Sequence, residues 1–174
     1  MICISMNLKN YIPIVPNWPK PGVDFLDITG LLNEPTAFNY SVNQLSLLVR
    51  QAGASSIVAV ESRGFIFASP VAKALGLPLI IVRKPNKLPG DIHTVTYDTE
   101  YSTDSLSIKS NAPVGLTPFI VDDLLATGGT ILATAQLLRD HFTIESISAG
   151  AVIGLDFLPG RNNLSANNIT VNTL

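Results

Sequence analysis

The sequence has a single cysteine, Cys3, so no internal disulfide can form. Its two histidines, His93 and His141, lack the partner spacing of a zinc site, and one cysteine adds too little for a Cys/His centre. Charge is scarce as well: 14% of the 174 residues are charged, the formal net charge is −2 and the isoelectric point lies near 5.6. Without an excess of basic residues there is no general affinity for nucleic acid or for an anionic membrane surface, and no helix-turn-helix or basic extension is visible. An anionic ligand must therefore be held by a local site. Long hydrophobic runs are missing too. The nearest, Ile147 to Leu158, is interrupted by Gly150, Gly154 and Asp156, short of the roughly 18 residues of a membrane-spanning helix. The opening MICISMNLKN has no basic region followed by an apolar stretch and cleavage site. The expectation is a soluble protein in a reducing, cytoplasmic setting, with no nucleic-acid or membrane partner.

What the chain does have is apolar surface to bury. Hydrophobic residues make up 47% of it, far from the composition of a disordered chain, and its length suits one domain over residues 1–174. Pro13, Pro16, Pro19 and Pro21 hold the first two dozen residues to an extended or turning path, so residues 1–34 read as an arm or cap. Helical spacing of Phe38, Val42, Leu45, Leu48 and Val49 predicts a helix over 35–52, stopped by Gly53. Ser56 to Val60, Leu79 to Val82, Phe119 to Val121 and Ser146 to Ile153 read as buried strands, with helices over 64–75 and 130–141. Strands alternating with helices predict an α/β fold, a doubly wound, mainly parallel sheet flanked by helices on both faces. Residues 84–118 are too long for a connector and read as a functional lid or a disordered segment, with a possible hairpin near Val95 to Tyr97 and Leu106 to Ile108. After Leu155 the tail reads as a turn and one last strand.

One segment carries the chemistry. Phe119-Ile120-Val121 runs into Asp122-Asp123, then Ala126-Thr127-Gly128-Gly129-Thr130 at the head of a helix. In an open parallel sheet, ligands sit at the carboxyl ends of the strands. Glycines let backbone approach closely, and free N–H groups at a helix start, with the Thr127 and Thr130 hydroxyls, suit a phosphate monoester. Adjacent carboxylates suit vicinal hydroxyls or a hydrated divalent metal. Phosphate beside a diol is a phosphorylated ribose. The segment is neither a Walker loop nor a dinucleotide fingerprint. Elsewhere, Glu61-Ser62-Arg63-Gly64-Phe65 follows the first strand and so lies at a carboxyl edge, either as a salt-bridged turn or as a place where the planar donor fork of Arg63 meets a phosphate. Arg83, Lys84 and Lys87 open the long loop, either as a solvated basic patch or as a lid closing on a polyanion.

VDDLLATGGT resembles the phosphoribosyl-diphosphate signature of type I phosphoribosyltransferases, in the form found in adenine phosphoribosyltransferases. Pro21-Gly22, Phe25-x-Asp27-Ile28-Thr29, the Glu61 to Phe65 segment, Arg83-Lys84, Lys87-Leu88-Pro89-Gly90 and Glu100-Tyr101 are similar to that family in order and spacing. The resemblance covers roughly residues 16–161. It implies a small hood from the N-terminal arm, a long flexible lid loop, and transfer of phosphoribose to adenine with Mg carried by the diphosphate substrate. It further implies that Asp122 and Asp123 hold the ribose hydroxyls and Ala126, Thr127, Gly128, Gly129 and Thr130 the 5′-phosphate. Arg63, Arg83, Lys84, Lys87 and Tyr101 fall to the diphosphate and nucleotide, Phe25 and Leu26 to the base, and Glu100 to general acid or base work. Family members are commonly homodimers.

The sequence departs from the family pattern at Leu26, in place of a basic residue, and at Ala68, Pro85, Asn86 and Ser102, where the pattern includes glycine. Gly154 stands where the late strand usually has a glutamate. These departures bear on base specificity, rate and lid mobility. Two alternatives follow: a transferase for another or modified purine, and a non-catalytic sensor of phosphoribosyl diphosphate or nucleotides. Hypoxanthine-guanine relatives usually carry an acid at the position of Ala126, and Glu100 with the basic lid speaks for catalysis.

Overall fold

The computed structural model of the chain describes residues 6–98 and 103–174. The chain divides into two compact units, residues 1–44 and 45–174.

In the first unit a 3-10 turn, Leu8–Tyr11, is capped by Asn7, whose side chain accepts from the Lys9 N–H. Two short strands, β1 (Ile14–Val15) and β2 (Phe25–Leu26), pair antiparallel. The proline-rich turn between them is closed by the Trp18 N–H donating to the Val23 carbonyl at 2.9 Å and the Gly22 N–H to the Asn17 side chain at 2.9 Å. Helix α1 (Thr29–Asn33) starts after Asp27, whose carboxylate accepts from the Thr29 N–H and hydroxyl. Gly30 is required there, since a Cβ would stand 2.5 Å from the Tyr11 carbonyl oxygen. The arm read from the prolines is thus a folded hairpin-and-helix unit. Helix α2 (Pro35–Gln51) begins in this unit and ends in the second.

The second unit is built on a sheet of five parallel strands. In chain order its elements are β3 (Ser56–Val60), α3 (Gly64–Leu75), β4 (Leu79–Val82), β5 (Ile92–Asp98), β6 (Thr103–Lys109), β7 (Pro118–Leu125), α4 (Gly129–His141), β8 (Ile147–Gly154), α5 (Gly160–Ala166) and β9 (Ile169–Thr173). The sheet order is β4-β3-β7-β8-β9. All five residues of β3 are buried, as expected of an apolar, β-branched strand covered on both faces. β4, at the edge, alternates exposed and buried residues. Gly76 ends α3 in the left-handed conformation, φ +66°, as the helix-stop reading requires. No helix among the described residues is long and apolar enough to cross a membrane.

Two elements, β7 and the tail, differ from the sequence reading, and the hairpin read near residues 95–97 and 106–108 is present with a longer ladder. β7 runs on through Leu125, because its ladder with β8 continues after its ladder with β3 stops at Val121. Asp122 and Asp123 therefore lie within the strand rather than beyond it. The long segment after β4 contains a hairpin paired from Ile92↔Lys109 to Asp98↔Thr103, joined to the sheet by an Arg83–Ser107 bridge. The tail contains α5 before its last strand; GRNNLSA is too short and polar to show a helical period.

Candidate active site

The chain leaves β3 toward β4 on one side and later returns to place β7 on the other, so the sheet has a topological switch point between β3 and β7. Crevices form outside the carboxyl ends of strands at such a point. Its two walls are the segments read from the sequence: Glu61-Ser62-Arg63 after β3, and Asp122-Asp123 at the end of β7. The Arg63 Nε lies 3.0 Å from Asp123 Oδ2 and ties the two together. Gly64 makes this approach possible, since a Cβ there would stand 2.7 Å from the Val121 carbonyl oxygen.

The two aspartates are electrostatically costly. Asp123 is 3% exposed. Burial pushes the Asp122 carboxyl up to about 8, and the neighbouring Asp123 charge pushes the same way. Burial also raises Asp123, opposed by the Arg63 guanidinium. Asp122 Oδ1 accepts the Asp123 backbone N–H at 2.9 Å, which partly offsets the cost of its charge. Asp123 Oδ2 has the Arg63 ion pair but no aligned hydrogen-bond donor. A carboxylate held this way suits donor groups brought by a ligand.

Beyond β7, Gly128 has φ +84°, and α4 begins at Gly129 with no acidic residue in its first turn. The first N–H groups of a helix lack internal partners, and the dipole there favours an anion. Gly129 is open: a Cβ would meet only the Thr127 hydroxyl, at 3.9 Å. The other side of the turn is closed by α5. A Cβ on Gly160 would lie 2.2 Å from the Ala126 carbonyl oxygen, and Asn163 Nδ2 donates to the Thr127 carbonyl at 3.0 Å.

Arg83 and Lys84 are already paired. Arg83 grips Glu61 with two N–H groups, at 3.0 and 3.2 Å, and donates to the Lys87 carbonyl at 3.2 Å. The Lys84 N–H donates to Glu61 and its ammonium lies 2.9 Å from Asp104 on β6, which raises the lysine and lowers the aspartate. Lys87 has an exposed side chain. Tyr97, on β5, is half-buried, and burial raises its phenol while neighbouring Thr130 acts to lower it. Phe25 and Leu26 are half-buried in β2, with the Trp18 ring edge-on to Phe25 at 4.4 Å. Glu100, Tyr101 and Ser102 lie outside the described residues.

A model of the phosphoribosyl transferase domain family matches residues 48–153. The adenine phosphoribosyltransferase of Acaryochloris marina is 46% identical over 160 residues, covering 91% of this chain and 94% of that protein. The chain belongs to the adenine phosphoribosyltransferase family. It is thus a pentosyltransferase by membership. Among solved structures, the adenine phosphoribosyltransferase of Thermoanaerobacter pseudethanolicus superposes with TM-score 0.86 at 41% identity, covering 96% of each chain. That of Saccharomyces cerevisiae, complexed with D-2,5-dideoxy-2,5-imino-altritol 1,6-bisphosphate and adenine, superposes with TM-score 0.86 at 36% identity, covering 95% of each.

Against the family pattern, the departure at Gly154 has a packing reason: a Cβ there would meet Thr173 of β9 at 2.8 Å. Ala68 is fully buried in α3, while Pro85 and Asn86 are exposed and Asn86 has φ +63°. Sequence reasoning missed Tyr97, Asp104, Gly160 and Asn163, which reach the family's site from other parts of the chain. It also gave His93 and His141 no role. Their rings stack at 3.9 Å, joining the foot of the hairpin to the end of α4.

Proposed function

We propose that the chain transfers the 5-phosphoribosyl group of phosphoribosyl diphosphate to adenine, giving AMP and diphosphate, as one phosphoribosyltransferase domain. The observation that carries this reading is the Arg63–Asp123 ion pair across the switch point, beside an open glycine turn at the head of α4. The backbone of Ala126 to Gly129, with the Thr127 and Thr130 hydroxyls, takes the 5′-phosphate. Asp122 and Asp123 accept hydrogen bonds from the ribose hydroxyls, which supply the donor that buried Asp123 Oδ2 lacks. Arg63, Arg83, Lys84, Lys87 and Tyr101 serve the diphosphate and nucleotide. Lys84 does so by exchanging Asp104 for substrate, at little cost because exposed ion pairs are weak.

Adenine N9 forms its bond to C1′ as the C1′–oxygen bond breaks, and diphosphate leaves with the electron pair. Glu100 takes the proton that N9 gives up. Phe25 and Leu26 hold the base, where an aromatic face suits a purine. Mg, carried by the diphosphate substrate, would supply positive charge to the leaving group. The hard oxygens of Asp122 and Asp123 suit the waters such an ion carries.

The same reading places the protein in the cytoplasm as a homodimer, without nucleic-acid or membrane partners. Support for self-association comes from the edge strand β4, where Leu79 and Ile81 are exposed, and from exposed Ile66 on α3. The test is to incubate the protein with Mg, phosphoribosyl diphosphate and one purine at a time, following nucleotide and diphosphate. Adenine is expected to give AMP and diphosphate in equal amounts. Binding of phosphoribosyl diphosphate without turnover for any purine would make the protein a sensor instead.

A further inference from the structure

We propose that Asn163, on α5, is a positioning residue for the 5′-phosphate: it locks the Thr127–Gly128 peptide so that its N–H faces the ligand. The inference rests on the phosphoribosyl-transfer reading of the preceding section.

In a trans peptide the carbonyl of one residue and the N–H of the next point in opposite directions. Among the described residues the only cis peptides are Trp18–Pro19 and Glu61–Ser62, so the peptides of the phosphate turn are trans. The Thr127 carbonyl accepts the side-chain amide of Asn163 at 3.0 Å, and it therefore points at α5. The Gly128 N–H is thereby aimed away from α5, toward the open side of the turn. The Ala126 carbonyl lies against Gly160, which would carry a Cβ only 2.2 Å from that oxygen, so the Thr127 N–H is turned the same way. The Gly128 carbonyl accepts the Leu132 N–H at 2.9 Å within the start of α4. Successive N–H groups directed to one side form an anion-binding concavity.

This orientation needs an external lock. Glycine at 128 tolerates either sign of φ, so the Thr127–Gly128 peptide can flip at low cost in backbone strain. A flip would aim a carbonyl oxygen at the phosphate in place of an N–H. Asn163 opposes the flip, since its amide would lose the Thr127 acceptor. Asn163 is itself held in place. Its carbonyl accepts the Asn167 side-chain amide at 2.8 Å, and the Asn167 carbonyl accepts Arg139 Nη2 of α4 at 2.9 Å. Buried Leu164 seats α5 behind the turn, with Cγ 3.3 Å from where a Gly128 Cβ would be.

The test compares wild type with Asn163→Leu, which keeps the size and removes the donor, and with Asn163→Gln, which restores a donor. Steady-state kinetics and calorimetry with ribose 5-phosphate and with diphosphate are read beside melting temperature. Asn163→Leu is expected to raise the KM for phosphoribosyl diphosphate and the Kd for ribose 5-phosphate by about tenfold, the size of one lost hydrogen bond. The KM for adenine and the Kd for diphosphate should stay within about twofold, and Asn163→Gln should recover most of the loss. If Asn163→Leu does not fold, Asn163→Ser carries the same measurements. A lower melting temperature with an unchanged KM for phosphoribosyl diphosphate, or an equal loss of diphosphate binding, would overturn the proposal. Failure of the parent reading shows separately, as absence of AMP from the wild-type protein.

Discussion

Asp122 carries the largest electrostatic cost in the site, because burial and Asp123 both oppose its charge. Its folded-state pKa, about 8, stands above the ordinary carboxylate value of 3.8. Between those values the folded chain holds a proton that the unfolded chain has lost, so this group's contribution to stability falls as pH rises from about 4 to about 8. Asp122→Asn removes the charge and should melt at a higher temperature than wild type at pH 8, by on the order of 1 kcal/mol, with the gap closing near pH 4. A variant less stable than wild type at pH 8 would contradict this. Activity should be lost in the same variant, which separates the role of the carboxylate from its cost. Glu100→Ala should lower turnover by about a hundredfold or more while leaving phosphoribosyl-diphosphate binding largely intact. Unchanged turnover would remove Glu100 from its assigned role.

The elements that position these residues were legible in the sequence to unequal degrees. β3, α3 and β4 have the bounds read from apolar runs and from Gly76, because a buried strand or helix needs the same residue types wherever it lies in the chain. The extension of β7 was hidden because Asp122 and Asp123 look like a strand end, yet β8 supplies the ladder that keeps them in the strand. α5 was hidden because it is short and polar, and its value comes from contacts with the distant phosphate turn. Local composition says nothing of such contacts. The candidate site divides the same way: Asp122 to Thr130 and Arg63 could be read from local patterns, while Asn163, Tyr97 and Asp104 act across the fold. Gly160 tests how tightly α5 is seated. Gly160→Ala sets a methyl 2.2 Å from the Ala126 oxygen, and overpacking of this kind costs about 1–3 kcal/mol. The expected result is a lower melting temperature and a raised KM for phosphoribosyl diphosphate. An alanine variant as stable and active as the parent would show that the turn yields freely.

Across the whole molecule, a parallel sheet with one switch point collects the ends of β3 and β7, the head of α4 and the back of α5 around one crevice. The low overall charge fits this plan: cations are few, and Arg63, Arg83 and Lys84 are each matched to a carboxylate that a phosphorylated substrate can displace or share. In the proposed reading phosphoribose recognition follows from that arrangement, whereas the choice of base is assigned to Phe25 and Leu26 by family resemblance. Base choice is therefore the property to measure. The most direct measurement is a competition: equal concentrations of adenine, hypoxanthine and guanine with limiting phosphoribosyl diphosphate and Mg, the nucleotide products separated and quantified. The account predicts AMP as the dominant product, with diphosphate released in equal amount. IMP or GMP in excess of AMP, or no nucleotide at all, would contradict it.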